Sequence, residues 1–174
     1  MGDTFFTRLP LRYGDLIAKL SVAPASQNLL SLKDKPIEHT DDDNFIRDAV
    51  RDFFVNHETE WEVRVQLCTN LKDMPIEPAN VEWDEAKSPY LPVGTIRVAR
   101  QDSWNEERAV AVDDGMGFSP WHGIVDHWPI GSLMQMRQRA YDNSQAFRSA
   151  RNRCPVHEPA SASLPLVPNE KRRP

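Results

Sequence analysis

Fourteen prolines interrupt this chain of 174 residues, and they decide where regular structure can start and stop. Proline holds φ at about −65° and has no backbone N–H, so it is excluded from helix interiors and central strands. Pro75, Pro78, Pro89 and Pro92 therefore turn residues 74–92 into an extended connection. Periodicity survives between the prolines. Leu16, Ala18, Leu20 and Val22 alternate with Asp15, Ile17, Lys19 and Ser21, which predicts a strand ended by Pro24. Residues 27–40 carry turn chemistry. Asp42 or Asp43 then offers a helix cap, and Ile46, Ala49, Val50, Phe53 and Phe54 recur at helical spacing until about Asn56. The clearest strand runs from Trp61 to Cys68, with Trp61, Val63, Val65 and Leu67 on one face and Glu62, Arg64, Gln66 and Cys68 on the other. Another is expected over Val93–Arg100.

Gly115, Gly117, Pro120 and Gly123 make residues 101–128 irregular, and a helix follows from Leu133 to Ala150, with Ser132 and Gln135 spaced as a capping box. From Pro155 to Pro174 the chain is Pro, Ser and Ala followed by charges, the composition of a disordered tail. The expected organisation is one α+β domain over residues 1–153 and a tail over 154–174.

Several function classes fall away. A net charge of −5 gives no electrostatic reason to bind nucleic acid or acidic membranes. No apolar run reaches the about 18 residues of a membrane span, and Met1–Gly14 lacks the apolar stretch of a secretory signal. Phe6 stands where a myristoylation signal needs Ser or Thr. Cys68 and Cys154 give no disulfide framework, so a reducing cytoplasm is the expected location, and Cys68 reads as a small buried apolar residue. Asp41, Asp42 and Asp43 read as a capping cluster rather than a calcium loop. His122 and His127 lack a third ligand at a familiar spacing, so a loop-packing role is expected for both. No P-loop, dinucleotide fingerprint or nucleophile elbow is present.

The last helix carries an unusual face. Leu133, Arg137, Ala140, Tyr141, Ser144 and Arg148 recur at spacings of three and four. Small Ala140 and Ser144 leave room for a flat ligand between the larger residues. Tyrosinate is one of the protein ligands used for haem iron. A phenol of ordinary pKa, about 10, needs a neighbouring cation to favour its ionised form near neutrality, and Arg137 lies one turn away. Arg148 could pair with a propionate, since a planar guanidinium fork suits a carboxylate. By itself an Arg and a Tyr one turn apart more often form a solvated helix face.

The order of several blocks adds to this reading. Arg137 and Tyr141, with Arg148 seven residues on, resemble the proximal motif of catalases, which reads Arg-x-Phe-x-Tyr with a further Arg. Phe118 and Pro120 resemble the family's Phe-x-Pro. Val81 with Trp83, and Tyr90 to Ile96 with Val93 and Gly94, resemble its Val-Trp and Tyr-Pro-Leu-x-x-Val-Gly segments. Trp61 and Gln66 resemble its Trp-x-x-x-x-Gln strand. These blocks stand in family order over about residues 60–150, and the small catalase-like subgroup is the nearest in pattern.

The resemblance implies a partial antiparallel catalase-like β-barrel whose C-terminal helix ligates haem. Tyr141 would be the axial ligand to the iron, Arg137 its charge partner and Arg148 a propionate contact, with Phe118, Leu133 and Ala140 lining the haem. The implied chemistry is a haem-dependent reaction of hydrogen peroxide or an organic hydroperoxide, lipid hydroperoxides included. Departures stand beside it. Arg139 replaces the family's Phe, and Asn143 and Gln145 replace its Asp and His. No distal His motif precedes Phe45, and His39 and His57 sit in unrelated contexts. The chain starts where the family barrel is already under way, as a truncated product or short form would. That leaves a second class open, a non-catalytic haem-binding or assembly module. An incomplete barrel exposes strand edges, so homo-oligomerisation is also expected.

Overall fold

Two strands rich in apolar and β-branched residues, β3 (Leu16–Pro24) and β4 (Thr59–Leu67), form the centre of a five-stranded antiparallel sheet. The computed structural model describes residues 1–36, 41–153 and 155–161, so His39, Cys154 and residues 162–174 lie outside what is described. β3 and β4 pair from Ala18 opposite Leu67 to Pro24 opposite Trp61. The other edge of β3 is shared by two short strands. β1 (Phe5–Phe6) lies against Val22 and Ser21, and β2 (Leu11–Tyr13) against Ala18, Ile17 and Leu16. Pro10 has no N–H to give a ladder. It falls in the gap, where the Thr7 hydroxyl accepts from the Leu20 N–H at 2.9 Å. Gly14, at φ 62°, makes the tight turn from β2 into β3 in a left-handed conformation that glycine alone takes freely.

β5 (Leu91–Val98) pairs with the far edge of β4. Arg64 opposes Pro92 and Val63 opposes Gly94, so Val93 is the extra residue of a bulge. Among the described residues the outer edge of β5 has no strand partner, and Leu91, Val93 and Ile96 are exposed. The expected barrel is thus an open sheet, because five strands, two of them very short, do not close on themselves.

The proline-rich connection holds no helix or strand as far as Tyr90, but it is a series of turns rather than extended, with Val81 N–H donating to Pro78 O and Lys87 N–H to Asp84 O, and Leu91 and Pro92 already belong to β5. Side chains staple it to the sheet. Gln66 is 1% exposed and donates through Nε2 to the carbonyls of Trp83 at 3.0 Å and Ser88 at 2.9 Å. The Ser88 hydroxyl donates to Leu67 O at 2.7 Å, and Lys19 Nζ donates to Val81 O at 3.0 Å while lying 4.7 Å from the Trp83 ring centroid. Burial lowers the Lys19 pKa, opposed by nearby Glu82. Trp83, 2% exposed, fills the space beneath this connection. Cys68 is half-buried, with Sγ 3.6 Å from Met74 O.

Among the described residues, the first half of the chain holds two helices. The turn-rich stretch after Pro24 contains one helical turn, α1 (Gln27–Leu30), which buries Leu29 completely. α2 (Phe45–Asn56) is capped at Asn44 rather than at Asp42 or Asp43, although Asp42 Oδ1 accepts from the Asn44 N–H at 2.9 Å. The 101–104 segment follows α2 closely. Arg51 forms a two-point pair with Asp102 at 2.7 and 3.0 Å, and the Arg47 guanidinium lies 4.0 Å from the Trp104 ring centroid.

Residues 101–128 are more ordered than their glycines suggest. α3 (Glu106–Ala109) is capped by the Asn105 side chain and runs on into a wider helical turn over Val110–Asp114. Single tight turns follow at Pro120–His122 and Val125–His127. None of the helices is long and apolar enough to cross a membrane, among the described residues.

Candidate functional site

The site is built on α4 (Ser132–Asn152), a 21-residue helix without internal Pro or Gly. The expected capping box does not form. Ser132 is the first helical residue, and Gly131 at φ 91° occupies the cap position with no side chain to offer. The cap comes instead from the proline-rich connection. The Glu77 carboxylate accepts from the Ser132 hydroxyl and from the Ser132 N–H at 3.0 Å. Those bonds, the hydroxyl first and the amide second, hold the Glu77 carboxyl below its ordinary range. An anion at a helix N-terminus also complements the helix dipole. A residue 55 positions away thus fixes where α4 begins.

Along α4 the predicted residues meet different fates. Arg137 Nη2 donates to Tyr141 Oη at 3.1 Å, and Arg137 Cζ lies 5.6 Å from the Tyr141 ring centroid. The guanidinium also reaches Met134 Sδ at 3.6 Å. The Tyr141 ring is half-buried and meets Trp121 edge-on, with centroids 6.0 Å apart and planes at 68°. Leu133 packs with Tyr141 against one apolar cluster of Leu9, Trp121 and Met134. Ala140 is exposed beside them. So Arg137, Tyr141 and Leu133 come together, with a small exposed residue alongside.

Phe118 and Arg148 stand apart from that group. The Phe118 side chain is 59% exposed, and its tie to α4 is its carbonyl, which accepts from Gln145 Nε2 at 3.2 Å. The Arg148 guanidinium is turned toward backbone. Its Nη2 donates to Met116 O at 2.9 Å and also to Asp113 O. His122 Nδ1 lies 2.7 Å from Glu158 Oε1, and His127 stacks on Tyr13 at 5.5 Å. No group of three or more metal-capable side chains gathers among the described residues.

Reading the sequence missed Trp121, Met134 and Glu77 as partners of this helix. Met134 was within reach, because it precedes Arg137 by three and Tyr141 by seven on one helical face. Trp121 and Glu77 carry no local signal, since they arrive from loops far along the chain.

Comparison with known proteins adds the fold. No family model matches the sequence, and no curated protein matches it either. Solved structures do match. A fungal catalase superposes with a TM-score of 0.62 at 11% identity, over 83% of this chain and 30% of that one. Catalase A from Saccharomyces cerevisiae gives 0.62 at 12% identity, over 83% and 31%. A bacterial catalase gives 0.60 at 14% identity, over 92% and 33%. The fold is catalase-like, and the chain spans about a third of the length of these proteins.

Proposed function

We propose that the chain carries the proximal side of a haem site acting on hydrogen peroxide or organic hydroperoxides, with the Tyr141 oxygen as ligand to the haem iron. The observation behind this reading is the 3.1 Å hydrogen bond from Arg137 Nη2 to Tyr141 Oη. That bond holds the phenolic oxygen and a cation together on one helical turn. The pair occurs within a catalase-like fold.

The residues present fit the ligand end of such a group. Tyr141 offers one phenolic oxygen, Trp121 packs against its ring at 6.0 Å, and exposed Ala140 leaves the adjoining surface low. Met134 Sδ and Tyr141 Oη hold the guanidinium of Arg137 from two sides. Leu133 supplies apolar contact, and exposed Phe118 could add more. The carboxylate end fits only when Arg148 leaves the two carbonyls it now serves. Bound haem would supply the redox chemistry, and the part of these residues would be to bind the iron and hold the phenolic oxygen in place.

A second reading is a non-catalytic haem-binding or assembly module. The unpaired outer edge of β5, with Leu91, Val93 and Ile96 exposed, supports it and supports homo-oligomerisation. Cysteine usage supports a cytoplasmic location for either reading.

Haemin added to the purified chain tests the first proposal. A tyrosinate-type visible spectrum in the wild type, lost in Tyr141→Phe, is the expected result. The same spectrum in both proteins would overturn it. Rapid release of oxygen from hydrogen peroxide by the haemin-loaded wild type would dismiss the module reading.

A further inference from the structure

After α4 the backbone reverses at Arg153, at φ 51°, and the chain returns along residues 115–119. Met116 and His157 form a parallel bridge, in which the Gly117 N–H donates to His157 O at 3.0 Å and the His157 N–H donates to Gly115 O at 3.0 Å. Side chains secure both ends. The Val156 N–H donates to Ser149 Oγ at 3.0 Å. Glu158 Oε1 accepts from the Ser119 N–H at 2.9 Å and lies 2.7 Å from His122 Nδ1. The segment it clamps carries the Met116 carbonyl that accepts from Arg148, and the second acceptor, Asp113 O, lies in the helical turn just before it.

We propose that Val156–Glu158 is a strap that holds Arg148 on backbone carbonyls, so that a ligand carboxylate reaches this guanidinium only when the strap lifts. The inference rests on the haem-site reading for the identity of the ligand, a porphyrin propionate, and adds its regulation. The competition has a clear direction. A carboxylate accepts charge-assisted, fork-like bonds from a guanidinium that are stronger than those of neutral carbonyls. The Met116 carbonyl keeps Arg148 only while residues 115–117 stay where the strap puts them.

Gly117 gives a way to lift the strap without touching Arg148 or Tyr141. A Cβ at this position would stand 2.7 Å from Val156 Cγ1 and 3.3 Å from the Gln145 side-chain amide. Gly117→Ala therefore pushes the strap away, and Gly117→Ala with Val156→Ala removes the clash and lets it return.

The probe is metal-free protoporphyrin with two free carboxylates, compared with its dimethyl ester, by tryptophan fluorescence quenching on the full chain. Without iron, the readout does not depend on ligation by Tyr141, so its failure and that of the ligand reading are separable. Gly117→Ala should bind the free acid about fivefold more tightly than wild type, the ratio that about 1 kcal/mol of ion pairing provides. Its affinity for the ester should stay unchanged. The double variant should return to wild-type affinity, and Gly117→Ala with Arg148→Gln should lose the gain. Equal gains for acid and ester, or no gain for either, would overturn the strap. So would a double variant that keeps the gain.

Discussion

Replacing Gln66 by Met probes the stitching that positions the whole proline-rich connection. The two side chains are similar in volume, and a volume-conserving change by itself usually costs less than about 1.5 kcal/mol. What is lost is the donor to two carbonyls, at 3.0 Å on Trp83 and 2.9 Å on Ser88. Both residues are buried, at 2% and 5% exposure, so water does not readily replace the amide. An acceptor left unsatisfied in such a place costs about 1–3 kcal/mol. Two of them put the expected loss at about 2–6 kcal/mol, a large part of the roughly 5–15 kcal/mol that holds a domain folded. Urea unfolding followed by tryptophan fluorescence reads this directly. With a slope of about 2 kcal/mol per molar, the midpoint should fall by about 1–3 M. A midpoint within about 0.3 M of wild type, at unchanged slope, would refute the argument that this amide joins the connection to the sheet.

Other outcomes follow from the same contacts. Glu77 has a depressed carboxyl value in the folded chain, so its stabilising effect is complete above the ordinary carboxyl value of 4.5 and is lost as pH falls through the lower, folded one. The melting-temperature advantage of wild type over Glu77→Gln should therefore shrink below about pH 4.5 in a thermal-melt series; a constant difference would count against the cap. Trp121→Ala should destabilise by about 3 kcal/mol by emptying the cluster against Leu9 and Met134, read as a lower midpoint in urea unfolding followed by circular dichroism; an unchanged midpoint would count against that packing. Arg137→Leu should weaken haemin binding by about tenfold, read by titration, while Arg139→Leu should not, because only Arg137 bonds the phenolic oxygen. Ile96→Lys on the outer strand should shift any assembly seen by light scattering toward monomer, since a charge on an edge strand opposes edge pairing.

Much of the fold could be read from residues alone, and its limits have physical causes. The alternation of Trp61, Val63, Val65 and Leu67 located β4 by its period of two, although burial does not follow that period, since Trp61, Val63 and Leu67 are half-buried and Gln66 on the other face is buried with Val65. Phe45–Asn56 and the last helix were legible for the matching reason at helical period. The turn at Gln27–Leu30 and the helical stretch from Glu106 to Asp114 are too short for a period to emerge, although Asn105 followed by Glu106 and Glu107 carried a cap signal. Closure of the sheet was not legible, because it depends on how many strands are present and not on any one of them.

In the candidate site, the local part was readable and the distant part was not. Arg137 and Tyr141 meet because four residues make one helical turn, so their hydrogen bond follows from spacing. Arg148 stands seven residues from Tyr141 on the same helix, yet its partners are the carbonyls of Asp113 and Met116. Backbone acceptors delivered by a loop leave no trace in side-chain patterns. The same holds for the Glu77 cap on Ser132.

The identity of the fifth ligand on iron tests the central claim most directly. Resonance Raman spectra of the haemin-loaded chain, prepared with and without ring-deuterated tyrosine, report it. The account predicts enhanced tyrosinate modes that shift on deuteration and vanish in Tyr141→Phe. An imidazole-type spectrum that persists in Tyr141→Phe and disappears when His122, His127 or His157 is replaced would contradict it.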